Sequence, residues 1–317
     1  MTDDKEGEAV NGTELGKAVV VGVLALQGAF AEHIRLLRQA ALIRSSSAPN
    51  SASSPTSSSV SNVPMTFTFI EVRNPTDLSR CSALIIPGGE STAISLVAAR
   101  SSLLEPLRSF VKVQRKPVWG TCAGLILLAE AANRTKRDGQ ELIGGLDVRV
   151  NRNHFGRQVE SFEAGLELPF LEDRVGSGVG SGKKGEAFKG VFIRAPVVEK
   201  ILPVVGAGEE QEGEAARDET VVAPSRRPED TIPDAVVRAS VGAEVEIMAR
   251  LPSPSKGGMP NVVSTAHTED EAGDIIAVRQ GNVFGTSFHP ELTGDARLHV
   301  WWLGEVERMV RKRWGQS

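Results

Sequence analysis

The chain has 317 residues, 40% hydrophobic and 24% charged, an ordinary globular composition with apolar material for one sizeable core. A formal net charge of -4 and a pI near 5.9 give no field that would hold a nucleic-acid backbone or an anionic membrane. Two cysteines, an acidic start (Met1-Thr2-Asp3-Asp4-Lys5) and no apolar run near the roughly 18 to 20 residues of a bilayer span predict a soluble protein of a reducing, cytoplasmic setting.

Residues 1–17 are polar and acidic with no face to bury, and are predicted to be a disordered tail ahead of a single domain over 18–317. The apolar run 19–26, closed by Gln27-Gly28, predicts a strand covered on both faces, and 31–42 predicts a helix. Residues 45–64 mix Ser, Pro, Asn and Ala and read as an insertion. Strands are expected at 65–72 and 83–86, the second ending in Pro87-Gly88-Gly89, and a helix over 92–113 with a break near Pro106. Pro117-Val118-Trp119 then predicts a strand, 120–124 a tight turn and 125–129 a buried helix. Strands alternating with helices imply an α/β fold, a doubly wound three-layer domain around a mostly parallel sheet. Shorter strands are predicted at 146–150, 190–193, 245–249, 275–278 and 283–288, and a closing helix at 296–313. Further insertions near 172–187, 206–235 and 252–273 reduce the folded core to roughly 200 residues.

Gly120-Thr121-Cys122-Ala123-Gly124 has the form of a nucleophile elbow, a sharp strand-to-helix turn that exposes its middle side chain above the sheet. Glycines flank it because a Cβ on either side would clash in so tight a turn. The Ala123 N–H is then left to face an oxyanion. Read alone, the pentapeptide also fits a buried structural cysteine, which is the role expected of Cys81. A thiol nucleophile needs a base, and the base an orienting group. Phe288-His289-Pro290-Glu291 supplies both, because residues two apart in an extended chain point to the same side and Glu291 can hold the His289 ring towards the thiol. Alone, His289 reads as a histidine capping a strand. The third element is Pro87-Gly88-Gly89-Glu90-Ser91-Thr92, whose backbone N–H groups suit an oxyanion hole or a substrate carboxylate; a plain strand-to-helix turn with Ser91 as N-cap fits as well. The G-x-G-x-x-G match at 180–185 lacks the preceding strand and following helix that a nucleotide site requires.

Together these motifs resemble the class I, triad-type glutamine amidotransferases. Leu26-Gln27-Gly28-Ala29 with Glu32-His33, Arg152-Asn153-His154-Phe155-Gly156-Arg157-Gln158 with Ser161-Phe162-Glu163-Ala164, Phe192-Ile193-Arg194-Ala195-Pro196, and Ser287-Phe288-His289-Pro290-Glu291-Leu292-Thr293 narrow the resemblance. They are similar to the glutaminase subunits of two-component pyridoxal 5'-phosphate synthases and run in that family's order. The resemblance implies a triad of Cys122, His289 and Glu291 and an oxyanion hole at Gly88, Gly89 and Ala123. It implies glutamine contacts from Gly89, Glu90, Ser91, Arg152, Ile193 and Arg194, and a role for Gln27 in linking docking to activation. It calls for no metal or organic cofactor, and for a barrel-shaped synthase subunit as partner in a large hetero-oligomer. An arginine would grip the α-carboxylate of glutamine and a glutamate its α-ammonium, without the sequence saying which arginine. From charge alone Arg152, Arg157 and Arg194 would read as solvated surface. Two alternatives are a glutaminase serving another acceptor and a non-catalytic regulatory subunit.

Overall fold

Valine and isoleucine dominate the first and third strands, and both are buried over almost their whole length, as expected of strands with helices on both faces. The computed structural model describes residues 18–46, 65–133, 140–152, 154, 161–172, 186–203, 220–224, 243–251 and 273–315. The predicted tail, most of the four insertions, Arg157 and the glycine motif at 180–185 lie outside the described residues.

Strand β1 (Ala18–Leu24) leads into helix α1 (Phe30–Ser46), β2 (Thr66–Val72), the short α2 (Pro75–Ser79) and β3 (Ala83–Ile86). Helix α3 (Ser91–Arg100) is followed by α4 (Leu104–Arg108), which runs into a π-helical turn over Ser109–Val113. Next come β4 (Val118–Thr121), α5 (Ala123–Leu128), β5 (Ala129–Asn133), β6 (Leu146–Asn151), β7 (Ser161–Leu166), α6 (Pro169–Glu172) and β8 (Phe188–Ile193). Strands β9 (Val197–Ile201), β10 (Thr220–Val222), β11 (Glu246–Leu251), β12 (Asp274–Gln280) and β13 (Val283–Thr286) precede the closing helix α7 (Arg297–Trp314).

The main sheet runs β10-β5-β6-β9-β12-β13-β4-β3-β1-β2, with β11 paired to β12, while β7 and β8 form a separate hairpin. Its half built of β2, β1, β3, β4 and β13 is parallel throughout, in register Gly22 with Leu84, Ile85 with Trp119 and Phe284 with Trp119. Beyond β13 the pairings to β12, β9 and β11 are antiparallel. Alternation along β3 divides the core: Ala83 and Ile85 face the cluster shared with Leu36 and Leu37 of α1 and Leu298 and Leu303 of α7. Leu84 and Ile86 face the opposite cluster, with Ile94 of α3, Leu107 of α4 and Leu125 of α5. The result is the three-layer arrangement of a doubly wound sheet.

The elements α2, β7, α6 and β9 are not among those predicted, and three predicted regions differ from the expectation. The helix over 92–113 breaks at 101–103, where Ser102 has φ 56 and the Leu103 N–H reaches back to Ala98 O at 2.8 Å, and not at Pro106. Pro106 sits in the first turn of α4, where its missing N–H has no intrahelical acceptor to lose. The buried helix 125–129 is a helix of six residues that passes directly into β5. The expected insertion at 206–235 contains β10, which pairs antiparallel with β5 through Thr220 and Asn133.

Candidate active site

Because β1, β3, β4 and β13 are parallel, their carboxyl ends lie along one edge, and each delivers one piece of the site there. The pieces are Gln27 beyond β1, Gly88 to Ser91 beyond β3, Cys122 beyond β4 and His289 beyond β13.

Cys122 is the single residue between β4 and α5 and takes φ 48 and ψ -102, backbone that costs a non-glycine residue of order 1–3 kcal/mol. Its N–H donates to Thr286 O of β13 at 2.8 Å, which ties the turn to the neighbouring strand. The flanking glycines are sterically required, since a Cβ on Gly120 would lie 2.5 Å from the Gly124 carbonyl carbon and one on Gly124 2.0 Å from Ile86 O. Ala123 opens α5, so its N–H has no intrahelical acceptor. The Cys122 sulfur, in a residue 6% exposed, lies 3.9 Å from Ile193 O at the end of β8.

His289 is anchored from behind. Its backbone N–H donates to Val191 O of β8 at 2.8 Å, and its Nδ1 lies 2.8 Å from Glu291 Oε1. With Nδ1–H given to the carboxylate, Nε2 is the ring nitrogen left to serve Cys122, whose side chain interacts with the ring. Burial pulls the imidazolium's pKa down, but the contacts with Cys122 and Glu291 outweigh it and raise it to about 10. Burial likewise pushes the Glu291 carboxyl up, and His33 and His289 more than reverse this, leaving it below its ordinary value.

The turn after β3 departs from the expectation in two places. Gly88 does not offer its N–H to the open site: it donates to Thr121 Oγ1 at 3.0 Å, because β3 and β4 are neighbours and the threonine before Cys122 stands beside the glycine. The N-cap of α3 is Glu90 and not Ser91, with the Glu90 carboxylate accepting from Thr92 N at 3.0 Å and Ala93 N at 2.7 Å. Glu90 is exposed, and a capping carboxylate keeps acceptor capacity for a further cation. The Glu90 N–H in turn donates to Gln27 Oε1 at 2.8 Å, so Gln27 pins the turn. Gly28, at φ +92, permits this approach, since a Cβ there would lie 1.7 Å from Gly88 O.

A polar cluster adjoins the turn. Gln140 Oε1 accepts from Ser91 Oγ at 3.1 Å and Thr92 Oγ1 at 3.4 Å, and from Nη1 of Arg152. Arg152 is 5% exposed, not the solvated cation its charge suggests, and burial lowers its pKa to about 10 against the opposing pull of Glu90. Arg152 Nε and Nη2 and Gln140 Nε2 are buried donors without partners, a deficit that an incoming carboxylate would fill. Arg194 instead is exposed, with φ 41, beside Ile193, which is 38% exposed and whose carbonyl lies near the Cys122 sulfur. Gln140 and Thr121 were not singled out by sequence: neither belongs to a spaced motif, although Thr121 stands inside the elbow.

A cysteine elbow facing a histidine–carboxylate pair at the edge of a doubly wound sheet has the parts that a thiol nucleophile, its base and an orienting group require. The chain belongs to the SNO glutamine amidotransferase family, whose model matches residues 23–240 and 242–308. Among curated relatives it is 36% identical over 289 residues to a probable pyridoxal 5'-phosphate synthase subunit PDX2 of Arabidopsis thaliana, covering 90% of this chain and 85% of the relative. It is 37% identical over 280 residues to the pyridoxal 5'-phosphate synthase subunit PdxT of Streptomyces avermitilis, covering 88% and 90%. A crystal structure of a glutamine amidotransferase superposes with a TM-score of 0.52 at 30% identity, covering 90% of this chain and 98% of that one. Among the described residues no helix is long and apolar enough to cross a membrane.

Proposed function

We propose that the chain hydrolyses L-glutamine to glutamate and ammonia as the glutaminase subunit of a pyridoxal 5'-phosphate synthase, with Cys122 as nucleophile, His289 as base and acid, and Glu291 as the group that orients it. The observation that carries this reading is the meeting of the Cys122 elbow with the His289–Glu291 pair at the strand edge where Arg152 and Gln140 hold unsatisfied donors.

In the proposed cycle the δ-amide of glutamine enters above Cys122, its α-carboxylate over Arg152 and Gln140, and its α-ammonium towards Glu90. His289 Nε2 takes the Cys122 proton before the attack, as its raised pKa favours, and the thiolate then bonds to the amide carbon. Ala123 N–H and the Gly89 peptide receive the oxyanion; Gly88 N–H joins them only if it leaves Thr121. The C–N bond breaks as His289 returns the proton to nitrogen, releasing ammonia and leaving a glutamyl thioester. Water, deprotonated by the same imidazole, attacks the thioester, and glutamate departs as the thiol is restored. Ile193 and Arg194 would line the mouth, and Gln27 would transmit docking of a barrel-shaped synthase subunit to the turn it pins. A reducing cytoplasm suits a mechanism that needs the thiol free, and both cysteines are free.

The test is glutamate release from L-glutamine by the purified chain, with and without a synthase subunit from the same source. Release that rises with the partner supports the reading, and none in either condition removes it.

Two substitutions probe the polar cluster and the ring. Arg152→Gln is expected to raise KM for glutamine about ten- to a hundredfold, the range of a lost charge-assisted hydrogen bond of about 1.5–3 kcal/mol, with a smaller change in kcat. Steady-state kinetics in the complex measure the split. In Gly88→Ala the new Cβ would sit 2.2 Å from His289 Cε1 and displace the imidazole. A displacement near 1 Å costs about a hundredfold, so kcat should fall by at least that with KM little changed.

A further inference from the structure

Behind the carboxylate of Glu291 lies a second, wholly buried polar cluster. His33 of α1 and His299 of α7 are both 0% exposed, and so is Glu291. His33 Nε2 is 3.3 Å from Glu291 Oε2 and 3.3 Å from Thr121 Oγ1, while its Nδ1 is 3.0 Å from His299 Nε2. Glu291 Oε2 is buried and makes no hydrogen bond, while His33 Nε2 stands 3.3 Å away, within reach as a donor.

The protonation pattern follows from the contacts. Burial lowers the pKa of His33 despite Glu291, and burial followed by His33 lowers that of His299 further, so both rings are neutral. A neutral pair fits one tautomer chain: His299 Nε2–H donates to His33 Nδ1, and His33 Nε2–H is hydrogen-bonded to Thr121 Oγ1 with Glu291 Oε2 equally near as a second acceptor. His299 Nδ1 is then the bare acceptor, in agreement with its lack of a partner. The ring plane is set by Trp119, edge-on at 5.6 Å between centroids. Thr121 also receives the Gly88 N–H, so one imidazole touches both the carboxylate that orients the base and the hydroxyl that holds the turn after β3.

We infer that His33 is a positioning residue of the reaction, supplying through its Nε2–H the donor that fixes Glu291 Oε2 and so the axis of the His289 ring. This rests on the triad reading above. His33 lies behind Glu291 and does not reach the pocket, so its loss should act on kcat and leave KM near its value. Groups that line metal- or base-holding residues typically cost ten- to a hundredfold when removed.

The test uses the chain in complex with its synthase subunit and two variants. His33→Asn keeps an amide near the Nδ1 position facing His299 but cannot reach Glu291, whereas His33→Gln can place its amide N–H where Nε2 stood. Expected for H33N are a ten- to hundredfold loss in kcat and an acidic limb of kcat/KM displaced to higher pH, because Glu291 loses a contact that favours its charge. The groups facing this carboxylate and its histidine are His289, His33, Glu32, His299 and Cys122, and only His33 is changed. H33Q should recover at least a tenth of the wild-type kcat and return the limb towards its place. The inference is overturned if H33N keeps wild-type kcat and limb, if H33Q does no better than H33N, or if neither variant yields folded protein, which would assign His33 to packing. Cys122→Ala in the same assay reports on the triad separately: activity surviving there removes that reading whatever His33 does.

Discussion

Replacing Cys122 with alanine is expected to cut glutamine hydrolysis by about ten-thousandfold or more, over 5 kcal/mol of transition-state stabilisation, because no other nucleophile is placed at the elbow. The fold should survive. The strained φ 48 is imposed by Gly120, Gly124 and the N–H bond to Thr286 O, not by the sulfur, and alanine keeps the Cβ. Glutamate release in the presence of the synthase subunit, beside circular dichroism of the variant, separates lost chemistry from lost structure. Activity near wild type in a folded C122A would end the covalent mechanism.

Glu291→Gln should come close to the same loss, a fall in kcat of about a thousand- to ten-thousandfold, as when the carboxylate of a hydrolase triad becomes an amide. The amide retains volume but carries no charge to stabilise the imidazolium and offers Nδ1 either a donor or an acceptor. A second signature lies in stability against pH. His289 has a folded pKa raised from 6.5 to about 10, so its contribution is full below about pH 6.5 and is lost as pH climbs through about 10. The Glu291 carboxyl is lowered, so its contribution is present above about pH 4.5 and is lost as pH falls from there. Thermal melts between about pH 4 and 10 should therefore show a flatter profile for E291Q than for the wild type. Identical profiles would mean that the pair is not coupled in the folded chain.

Much of this site was legible in the sequence because its parts are local. The elbow needs five consecutive residues and the base with its orienting group needs three, and each leaves a readable pattern: small residues around Cys122, alternation from His289 to Glu291. The parallel half of the sheet was legible for a similar reason, since buried strands are continuous apolar runs bounded by Gly and Pro. What was hidden depends on neighbours. Strand β5 follows α5 without a turn signal, so the sequence shows a helix ending at Ala129 and no strand over Ala129–Asn133. Strand β10 is three residues in a polar stretch and exists only because β5 offers an edge. Gln140 occupies a loop with no periodicity, and its place under Ser91 and Arg152 is set by tertiary contact alone. Arg152 could be named through a resemblance, but its burial could not be read from its charge. The Gly88 N–H shows the limit of local reasoning most directly: the turn predicts an outward donor, and the hydroxyl of Thr121 on the next strand claims it.

The pairing of β13 with β4 also orders events during synthesis. Val283 to Thr286 lie against Val118 to Thr121, so His289 follows a strand made long after the one that leads to Cys122. At ordinary translation rates of about 5–20 residues per second, the thiol emerges roughly 10–30 s before its histidine. Throughout that interval β4 lacks a neighbour on one side, and Cys122 N has no Thr286 carbonyl to hold the elbow closed. Under the proposed mechanism the thiol therefore meets its base only once β13 has inserted beside β4.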